Sequence, residues 1–377
     1  MLKIIVSPIY EIACFSFMVR IGILTFHRAH NYGAVLQCYA LQEFLRKQGY
    51  DAKVIDYNNR MLWKGYEWYK KEDVQFALSK PRKVLKRFVK LFFKWYQTVP
   101  RYYKFLYFQN HKLQLCPTSE ISNNPFDLVL IGSDQVWNTE ITHGFDVYYW
   151  GQFERPNKTK IATYAASLKR FWGNEELSLV SKYLKSLDAI SVREKDVAKK
   201  VREIDPDLNP IVVPDPVFLL SVDDWKKMAK TPRLKKPYIL FYQAMDSERV
   251  YEIACNIAQR EEKKLVVLSA NVNGRNSKES KSASPAEFVG WILHADLVVT
   301  SSFHATAFSI LFRKDFYAVD LKAGPDSRLK NVLEKLHLEN HFISSFDDYQ
   351  KFPPFDCREG IDSIQKTANQ YVTALLE

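Results

Sequence analysis

Short apolar strands that alternate with amphipathic helices constrain this chain more than any other feature. One series predicts strands at residues 20–26, 52–57, 127–131, 160–164, 188–191 and 211–213. A second series predicts strands at residues 238–243, 264–268, 296–300 and 315–320. Strands that alternate with helices form parallel sheets covered on both faces. The chain is therefore predicted to be α/β, with two Rossmann-like domains and a cleft between them, and ligands are expected where the strands end.

A polar segment between the two series sets the predicted domain boundaries. It lacks a strand pattern, so residues 222–236 are predicted to be a linker. The N-terminal domain then spans residues 18–221 and the C-terminal domain spans residues 237–345, lengths that suit one hydrophobic core each. Residues 346–377 are predicted to be a tail with a C-terminal helix.

The first residues make a poor targeting signal, because Pro8 and Glu11 interrupt the apolar run and no small-residue cleavage site follows. A clean strand begins just after Met18. We therefore expect Met18 to be the working start, with residues 1–17 a loosely ordered extension, if they are translated at all.

The five cysteines are scattered without a pair at metal-ligand spacing, which is typical of a protein of the reducing cytoplasm.

The net charge of +11 is concentrated in one insertion. Residues 60–112 contain fourteen Lys or Arg, three Asp or Glu and fifteen aromatic residues, so the rest of the chain is close to neutral. Apolar and basic residues alternate at helical spacing over residues 80–96, which predicts an amphipathic helix. A basic helix with an aromatic face is typical of one that lies on an anionic membrane surface. The membrane-facing candidates are Lys83, Lys86, Arg87 and Lys90.

Two alternatives for this insertion stay open. Its apolar face could pack on the first domain, with the charges simply solvated. Nucleic acid is a weaker alternative, since no recognition module accompanies the charge, and no nucleic-acid partner is expected.

Polar residues follow several of the predicted strands. His27, Asn31 and Gly33 follow the first strand, where a glycine at a helix start lets backbone N–H groups face an anion; a simple turn is the alternative. Ser133 and Asp134 follow a later strand in the run Gly-Ser-Asp-Gln-Val-Trp-Asn. Capping of the following helix is the simplest interpretation of this run, but it does not account for the Gln, Trp and Asn.

Arg193 and His304 are the candidate catalytic residues. Arg193 follows a strand, and its planar guanidinium could bind a phosphate or carboxylate with two hydrogen bonds; an ordinary surface arginine is the alternative. His304 follows the strand at 296–300 through a Thr/Ser run and begins a helix. It is therefore the best general acid or base candidate, with a structural histidine whose hydrogen bonds are satisfied as the alternative.

The sequence has no metal-ligand motif, P-loop, GxGxxG or GxSxG, so no metal and no cofactor are expected.

Six segments together resemble the polysaccharide pyruvyl transferase family. In chain order they are HNYGAVLQCYAL, FDLVLIGSDQVWN, AISVRE, VVPDPVFLL, SSFHATAFSILF and DSRLKNVLEKL. The resemblance implies a two-domain architecture like that of B-type glycosyltransferases. It also implies a transferase that moves the pyruvyl unit of phosphoenolpyruvate, a co-substrate, onto a sugar hydroxyl in surface or capsular polysaccharide biosynthesis. The acceptor would be a hexose-containing, lipid-linked oligosaccharide, and the enzyme would be cytoplasmic, on the inner face of the cytoplasmic membrane.

The resemblance also implies roles for particular residues. The essential histidine of the family matches His304, and its donor-binding arginine matches Arg193. Ala305 stands where the family often has glycine. The other donor-site candidates are Asn31, Gly33, Asp134, Ser302 and Arg328.

The residue types fit a mechanism in which His304 protonates the methylene carbon of the enol phosphate. Carbon C2 then becomes electrophilic, a sugar hydroxyl attacks it, and phosphate leaves. Two other functions remain open at this point: a nucleotide-sugar glycosyltransferase of similar architecture, and a non-catalytic, glycan-binding member of a polysaccharide assembly complex.

Overall fold

The computed structural model describes residues 18–57, 59, 84–234, 237–269, 282–321 and 327–377. Its strands form two five-stranded parallel sheets and one short parallel pair. The two large sheets confirm the predicted α/β class with two Rossmann-like domains.

The first sheet has the order β3-β2-β1-β4-β5. Its strands are β1 (Arg20–Leu24), β2 (Asp51–Ile55), β3 (Leu115–Cys116), β4 (Leu128–Ile131) and β5 (Lys160–Thr163). The short pair β6 (Ser191–Val192) and β7 (Ile211–Val212) continues this edge through a parallel bridge between Ala162 and Ala189. The second sheet has the order β12-β11-β10-β8-β9. Its strands are β8 (Tyr238–Gln243), β9 (Lys264–Ser269), β10 (Leu297–Thr300), β11 (Asp315–Val319) and β12 (Phe342–Ile343).

Helices cover the sheets and connect their strands. In the first half of the chain they are α1 (Tyr32–Lys47), α2 (Val84–Lys112), α3 (Glu120–Asn123), α4 (Thr139–Thr142), α5 (Leu177–Lys185) and α6 (Lys195–Ile204). In the second half they are α7 (Val222–Met228), α8 (Glu248–Arg260), α9 (Pro285–Leu293), α10 (Phe303–Leu311), α11 (Ser327–Lys335) and α12 (Arg358–Leu376). Short 3₁₀ turns span Val147–Trp150, Pro216–Leu219 and Glu339–His341.

Helix α1 shows how local sequence sets these boundaries. The Asn31 side chain accepts hydrogen bonds from the N–H groups of Gly33 and Ala34, so it caps the helix start. The helix ends just before Gly49, whose φ of 90° is a left-handed conformation that glycine adopts without steric cost. The apolar face between these ends lies against the first sheet and is fully buried.

The predicted linker contains a helix that belongs to the core. Ser221 and Asp224 form a capping box at the start of α7. Trp225 is fully buried, and its indole N–H donates to the carbonyl of Val217 at 3.1 Å. A polar sequence with one buried tryptophan has no strand pattern, which is why this segment resembles a linker in the sequence.

The C-terminal tail returns to the first sheet. The hydroxyl of Tyr371 on α12 donates to the carbonyl of Thr163 at 2.7 Å. Lys160 donates to the carbonyl of Leu375 at 2.9 Å. The chain therefore crosses back from the second domain, and α12 fastens the two domains together.

The start of α1 also packs on the second domain. The ring of Tyr32 stacks on Phe288 of α9 with centroids 4.4 Å apart, and its hydroxyl donates to the carbonyl of Ala283 at 2.9 Å. This contact fixes the loop before α1 against the second domain.

The basic insertion contributes helix α2. In its C-terminal half Phe105 and Phe108 are buried, Arg101 donates to the carbonyl of His30 at 3.0 Å, and Lys104 forms a 2.8 Å ion pair with Glu287. The C-terminal half of α2 therefore packs on both domains. For this half, the structure resembles the alternative in which the apolar face of the insertion packs on the protein. Lys83 and the side chains of Lys86, Arg87 and Lys90 lie outside the described residues. Among the described residues, no helix is both long and apolar enough to cross a membrane.

Candidate active site

A cavity of about 270 Å³ lies where the C-terminal ends of strands from the two sheets face each other. On the first sheet it is lined by Phe26, after β1, and Asp134, after β4. On the second sheet it is lined by Met245, Ser301 and Asp320, which follow β8, β10 and β11. Parallel sheets expose backbone groups and loop side chains at this edge, so the topology accounts for the position of the cavity.

The cavity brings together most of the residues that the sequence nominated for the donor site. Those that line it are Asn31, Asp134, Ser302, His304 and Arg328. Gly33 and Arg193 lie behind this wall. Further polar residues line the cavity and were not nominated; they include Gln135, Lys169, Ser301 and Asp320.

His304 lies at the start of α10, one residue after its first position. The N-cap is Ser302, whose backbone N–H donates to the Thr300 hydroxyl at 3.0 Å, and its side chain caps no N–H of the helix. His304 is 8% exposed and lines the cavity. A helix start has a positive electrostatic potential, so the imidazole lies where an anion in the cavity would bind.

Gly33 lies directly against the His304 ring. A Cβ added at Gly33 would lie 2.5 Å from the Cγ atom of His304 and closer still to its Nδ1 atom. Any larger residue would displace the imidazole. The first turn of α1 and the first turn of α10 therefore meet across the two domains, and a residue without a side chain is required at this point.

Arg193 does not contact the cavity and is not an ordinary surface arginine. It is 7% exposed, and its Nη2 atom lies 2.9 Å from the Oδ2 atom of Asp215 and 2.6 Å from the Ser133 hydroxyl. Its guanidinium also lies over the ring of Phe303, 5.3 Å from the centroid. Its Nε and Nη1 atoms have no hydrogen-bond partner among the described residues, so the direct donor contact expected from the sequence stays a prediction.

Asp215 joins Arg193 to His304, and sequence reasoning missed it. Its Oδ2 atom lies 3.4 Å from His304 Nε2 as well as 2.9 Å from Arg193 Nη2, while its Oδ1 atom accepts the N–H of Val217. The sequence did contain a signal for Asp215, because this residue follows strand β7 within Val-Pro-Asp-Pro. Two flanking prolines, however, are also typical of a turn.

The electrostatics of Asp215 favour its ionised form. Burial by itself would raise the pKa of this carboxyl, but the charge of Arg193 and the His304 imidazole outweigh it and hold the pKa at about 2. Asp215 therefore carries a negative charge beside His304 at neutral pH.

The Gly-Ser-Asp-Gln run does not cap the next helix; Asn138 does so, by accepting the N–H of Glu140. Ser133 instead donates its hydroxyl to the carbonyl of Ala165 at 2.9 Å and accepts from Arg193. Asp134 has a φ of 73°, a conformation that Asp tolerates better than most residues, and lines the cavity. The run therefore supplies one support for Arg193 and one polar group for the cavity.

Within the described ranges, no cluster of three or more His, Cys, Asp or Glu side chains has the geometry to hold a metal ion. The absence of a metal requirement remains a prediction.

The comparisons with known proteins identify the family. The family model "Polysaccharide pyruvyl transferase" matches residues 31–322, which is most of the chain. The chain belongs to the polysaccharide pyruvyl transferase family. The match includes every nominated site residue except Arg328, which follows it. A search of the curated proteins finds no match.

Solved structures resemble this family member only distantly. An uncharacterised protein of Klebsiella pneumoniae is 13% identical, with a TM-score of 0.39 over 65% of this chain and 86% of that one. The S. aureus protein MnaA, in a co-structure with UDP, is 10% identical, with a TM-score of 0.48 over 94% and 88% of the two chains. The calicheamicin glycosyltransferase CalG4 is 11% identical, with a TM-score of 0.38 over 93% and 94%. Because all three scores are low, nothing about the substrate follows from them.

Proposed function

We propose that this protein transfers the pyruvyl unit of phosphoenolpyruvate onto a hexose hydroxyl and closes a pyruvate ketal, with no metal or other cofactor. Family membership supports the transferase class. The observation that supports this chemistry most directly is His304, an imidazole backed by a buried carboxylate, on the wall of a cavity between the two sheets.

The cavity wall suits a donor with a phosphate and a carboxylate. Helices α10 and α11 both begin at the cavity, where Ser302 and Arg328 line it. Helix starts bind anions through their N–H groups and dipole. Lys169 adds a second cation from the first domain. Together these groups would stabilise the charge of the donor and of the leaving phosphate.

The proposed reaction begins with proton transfer from His304 to the methylene carbon of the donor. The π electrons form the new C–H bond, and C2 becomes an electrophilic oxocarbenium centre. A sugar hydroxyl oxygen bonds to C2 and loses its proton. The C2–O bond to phosphate then breaks, and phosphate leaves with the bonding electrons. A second hydroxyl closes the ketal and releases one more proton.

Incubation of the purified protein with phosphoenolpyruvate and a pool of lipid-linked oligosaccharides tests the proposal. We expect phosphate release together with an acceptor whose mass increases by one pyruvate less one water. A parallel panel of nucleotide sugars is the control for the glycosyltransferase alternative. If a nucleotide sugar is consumed and phosphoenolpyruvate is not, the proposal is wrong; if neither is consumed, the non-catalytic alternative is favoured.

We further propose that the N-terminal half of α2 holds the enzyme on the anionic inner face of the cytoplasmic membrane, where a lipid-linked acceptor would lie. The C-terminal half of α2 is fastened to the protein through Arg101 and Lys104, so a bound membrane would be held at a fixed distance from the cavity. Each Lys or Arg near an anionic leaflet contributes about 1 kcal/mol, and salt screens this attraction.

Co-sedimentation with liposomes that contain anionic lipid tests the membrane proposal. We expect binding at low salt that is lost at high salt. A variant with Lys83, Lys86, Arg87 and Lys90 changed to Gln should remain in the supernatant. The matched control changes four basic residues of α6, Lys195, Lys199, Lys200 and Arg202, to Gln and should still sediment. Equal sedimentation of both variants would contradict the proposal.

A further inference from the structure

Asp215 is the group on which the other polar residues behind the cavity converge. Its side chain has no exposed area. The Val217 N–H holds Oδ1 at 3.0 Å, which fixes the rotation of the carboxylate, and Oδ2 lies 2.9 Å from Arg193 Nη2 and 3.4 Å from His304 Nε2. One oxygen is therefore fixed by the backbone, and the other lies between the Arg193 guanidinium and the His304 imidazole.

The two nitrogens of His304 have different surroundings. Nε2 is buried and lies next to Asp215. Nδ1 makes no hydrogen bond to any residue in the part of the chain that the structure describes, and the ring at this atom packs against Gly33, in the volume that a side chain there would fill. Asn31 and Ala34, on either side of Gly33, line the cavity.

We propose that Asp215 is a positioning residue that holds the Nε2 proton of His304, so that Nδ1 is the nitrogen that delivers a proton to the substrate. The proposal rests on the function proposed above, and it names which atom of His304 acts. Arg193 in turn holds Asp215, with its second contact to the Ser133 hydroxyl fixing the guanidinium.

The proton transfer balances in this arrangement. The imidazolium has protons on both nitrogens. Its Nδ1–H bond breaks, the proton bonds to the methylene carbon, and the electron pair stays on Nδ1. The resulting neutral imidazole keeps its Nε2 proton, directed at Asp215, and the carboxylate is never protonated. The 3.4 Å separation is long for a hydrogen bond, and such contacts tighten when substrate binds.

The test compares wild type with Asp215→Asn, which keeps the acceptor oxygen for the Val217 N–H. We expect kcat to fall by about 10²-fold, as for loss of general acid catalysis, while KM for phosphoenolpyruvate changes by less than about twofold. An unchanged kcat, or a rise in KM without a fall in kcat, would overturn the proposal.

Histidine-selective ¹⁵N NMR of the full chain separates this proposal from the proposed function, because it needs no turnover. The His304 signals are assigned by their loss in His304→Gln. In wild type at high pH, we expect the proton on Nε2, and Asp215→Asn should lose this preference between the two nitrogens. A neutral ring with its proton on Nδ1 in wild type overturns the proposal even if the variant does not fold. Absence of phosphoenolpyruvate turnover in wild type would refute the proposed function but not this assignment of the Nε2 proton.

Discussion

Within the described residues, the same three residue types, His, Asp and Arg, meet in two places. In one cluster His27 Nε2 lies 2.9 Å from Asp56, and Arg28 donates to the same carboxylate at 2.8 Å. In the other, His304 and Arg193 share Asp215. The chemical composition is identical, so composition alone does not decide which histidine could transfer a proton.

The difference lies in the second nitrogen of each imidazole. In the first cluster Nδ1 of His27 lies 3.0 Å from the carbonyl of Thr25, so both nitrogens face protein acceptors, and the ring is fully buried. His304 has a protein partner on Nε2, whereas Nδ1 has no hydrogen-bond partner among the described residues, and the ring lines the cavity. A histidine with both nitrogens engaged stabilises a fold, whereas one with an open nitrogen on a cavity wall can exchange a proton with a ligand.

Replacement of each histidine by glutamine gives the largest expected contrast. His304→Gln should lower kcat by roughly 10²–10⁴-fold, because general acid catalysis contributes that much, with little change in thermal stability. His27→Gln should keep most of the activity but lower the free energy of unfolding by roughly 1–3 kcal/mol, the usual cost of a buried group left without its partner. Steady-state kinetics and thermal unfolding measure the two effects. A folded His304→Gln protein with a near wild-type rate would remove His304 as the acid.

Gly33→Ala tests whether the position of the His304 ring matters. The added methyl group would overlap the imidazole at Nδ1, so the ring must move away from the reacting carbon. A misplacement of about 1 Å can lower the rate roughly 10²-fold. The matched control is Ala34→Gly, which changes a neighbouring cavity residue without filling this space and should keep most of the activity. Equal kinetics in Gly33→Ala and wild type would show that Nδ1 does not need this space.

The residues at the cavity could be anticipated in part from the sequence, because the ends of buried strands can be recognised there. Strands such as β4 and β10 are buried on both faces and appear as apolar runs, so the polar residues that follow them, Asp134 and His304, stood out. The two-residue strands β3 and β12 are too short to give a pattern, and both were missed.

The contacts that distinguish the two clusters could not be predicted from local patterns. Gly33 and His304 meet only because α1 and α10 begin at facing edges of two domains. Asp215 acquires its role from Arg193 and His304, which lie on other elements far along the chain. Arg193 was nominated as a donor ligand because a strand-end arginine is typical of one. Its burial against Asp215 depends on tertiary packing, which spacing does not reveal.

A pair of arginine variants sharpens the distinction between a residue behind the cavity and one on its wall. A lysine keeps the charge but loses the planar fork with which Arg193 contacts Asp215 and Ser133. Loss of one charge-assisted hydrogen bond, about 1.5 kcal/mol, corresponds to a fall in kcat of about tenfold. Arg193→Lys should therefore lower kcat with little change in KM for phosphoenolpyruvate.

Arg328→Lys is the matched control, because Arg328 lines the cavity and should raise KM for phosphoenolpyruvate instead. The direct donor contact inferred from the sequence predicts a raised KM for both variants. If Arg193→Lys raises KM as much as Arg328→Lys does, with kcat unchanged, Arg193 binds the donor and does not act through Asp215.

A chelator is expected to have the smallest effect. It tests whether either imidazole–carboxylate pair binds a metal ion in the active protein. Each cluster places an imidazole nitrogen next to a carboxylate, a pair that could also bind a divalent ion. If either pair did so in the active protein, the contrast between an engaged and an open nitrogen would be irrelevant to catalysis. Arg193 and Arg28 argue against this, since each already supplies a positive charge to the carboxylate that a cation would need. We therefore expect full activity after prolonged dialysis against EDTA, measured as phosphate release from phosphoenolpyruvate. Loss of activity that a divalent ion restores would contradict the metal-free mechanism and would reassign His304 and Asp215 as ligands.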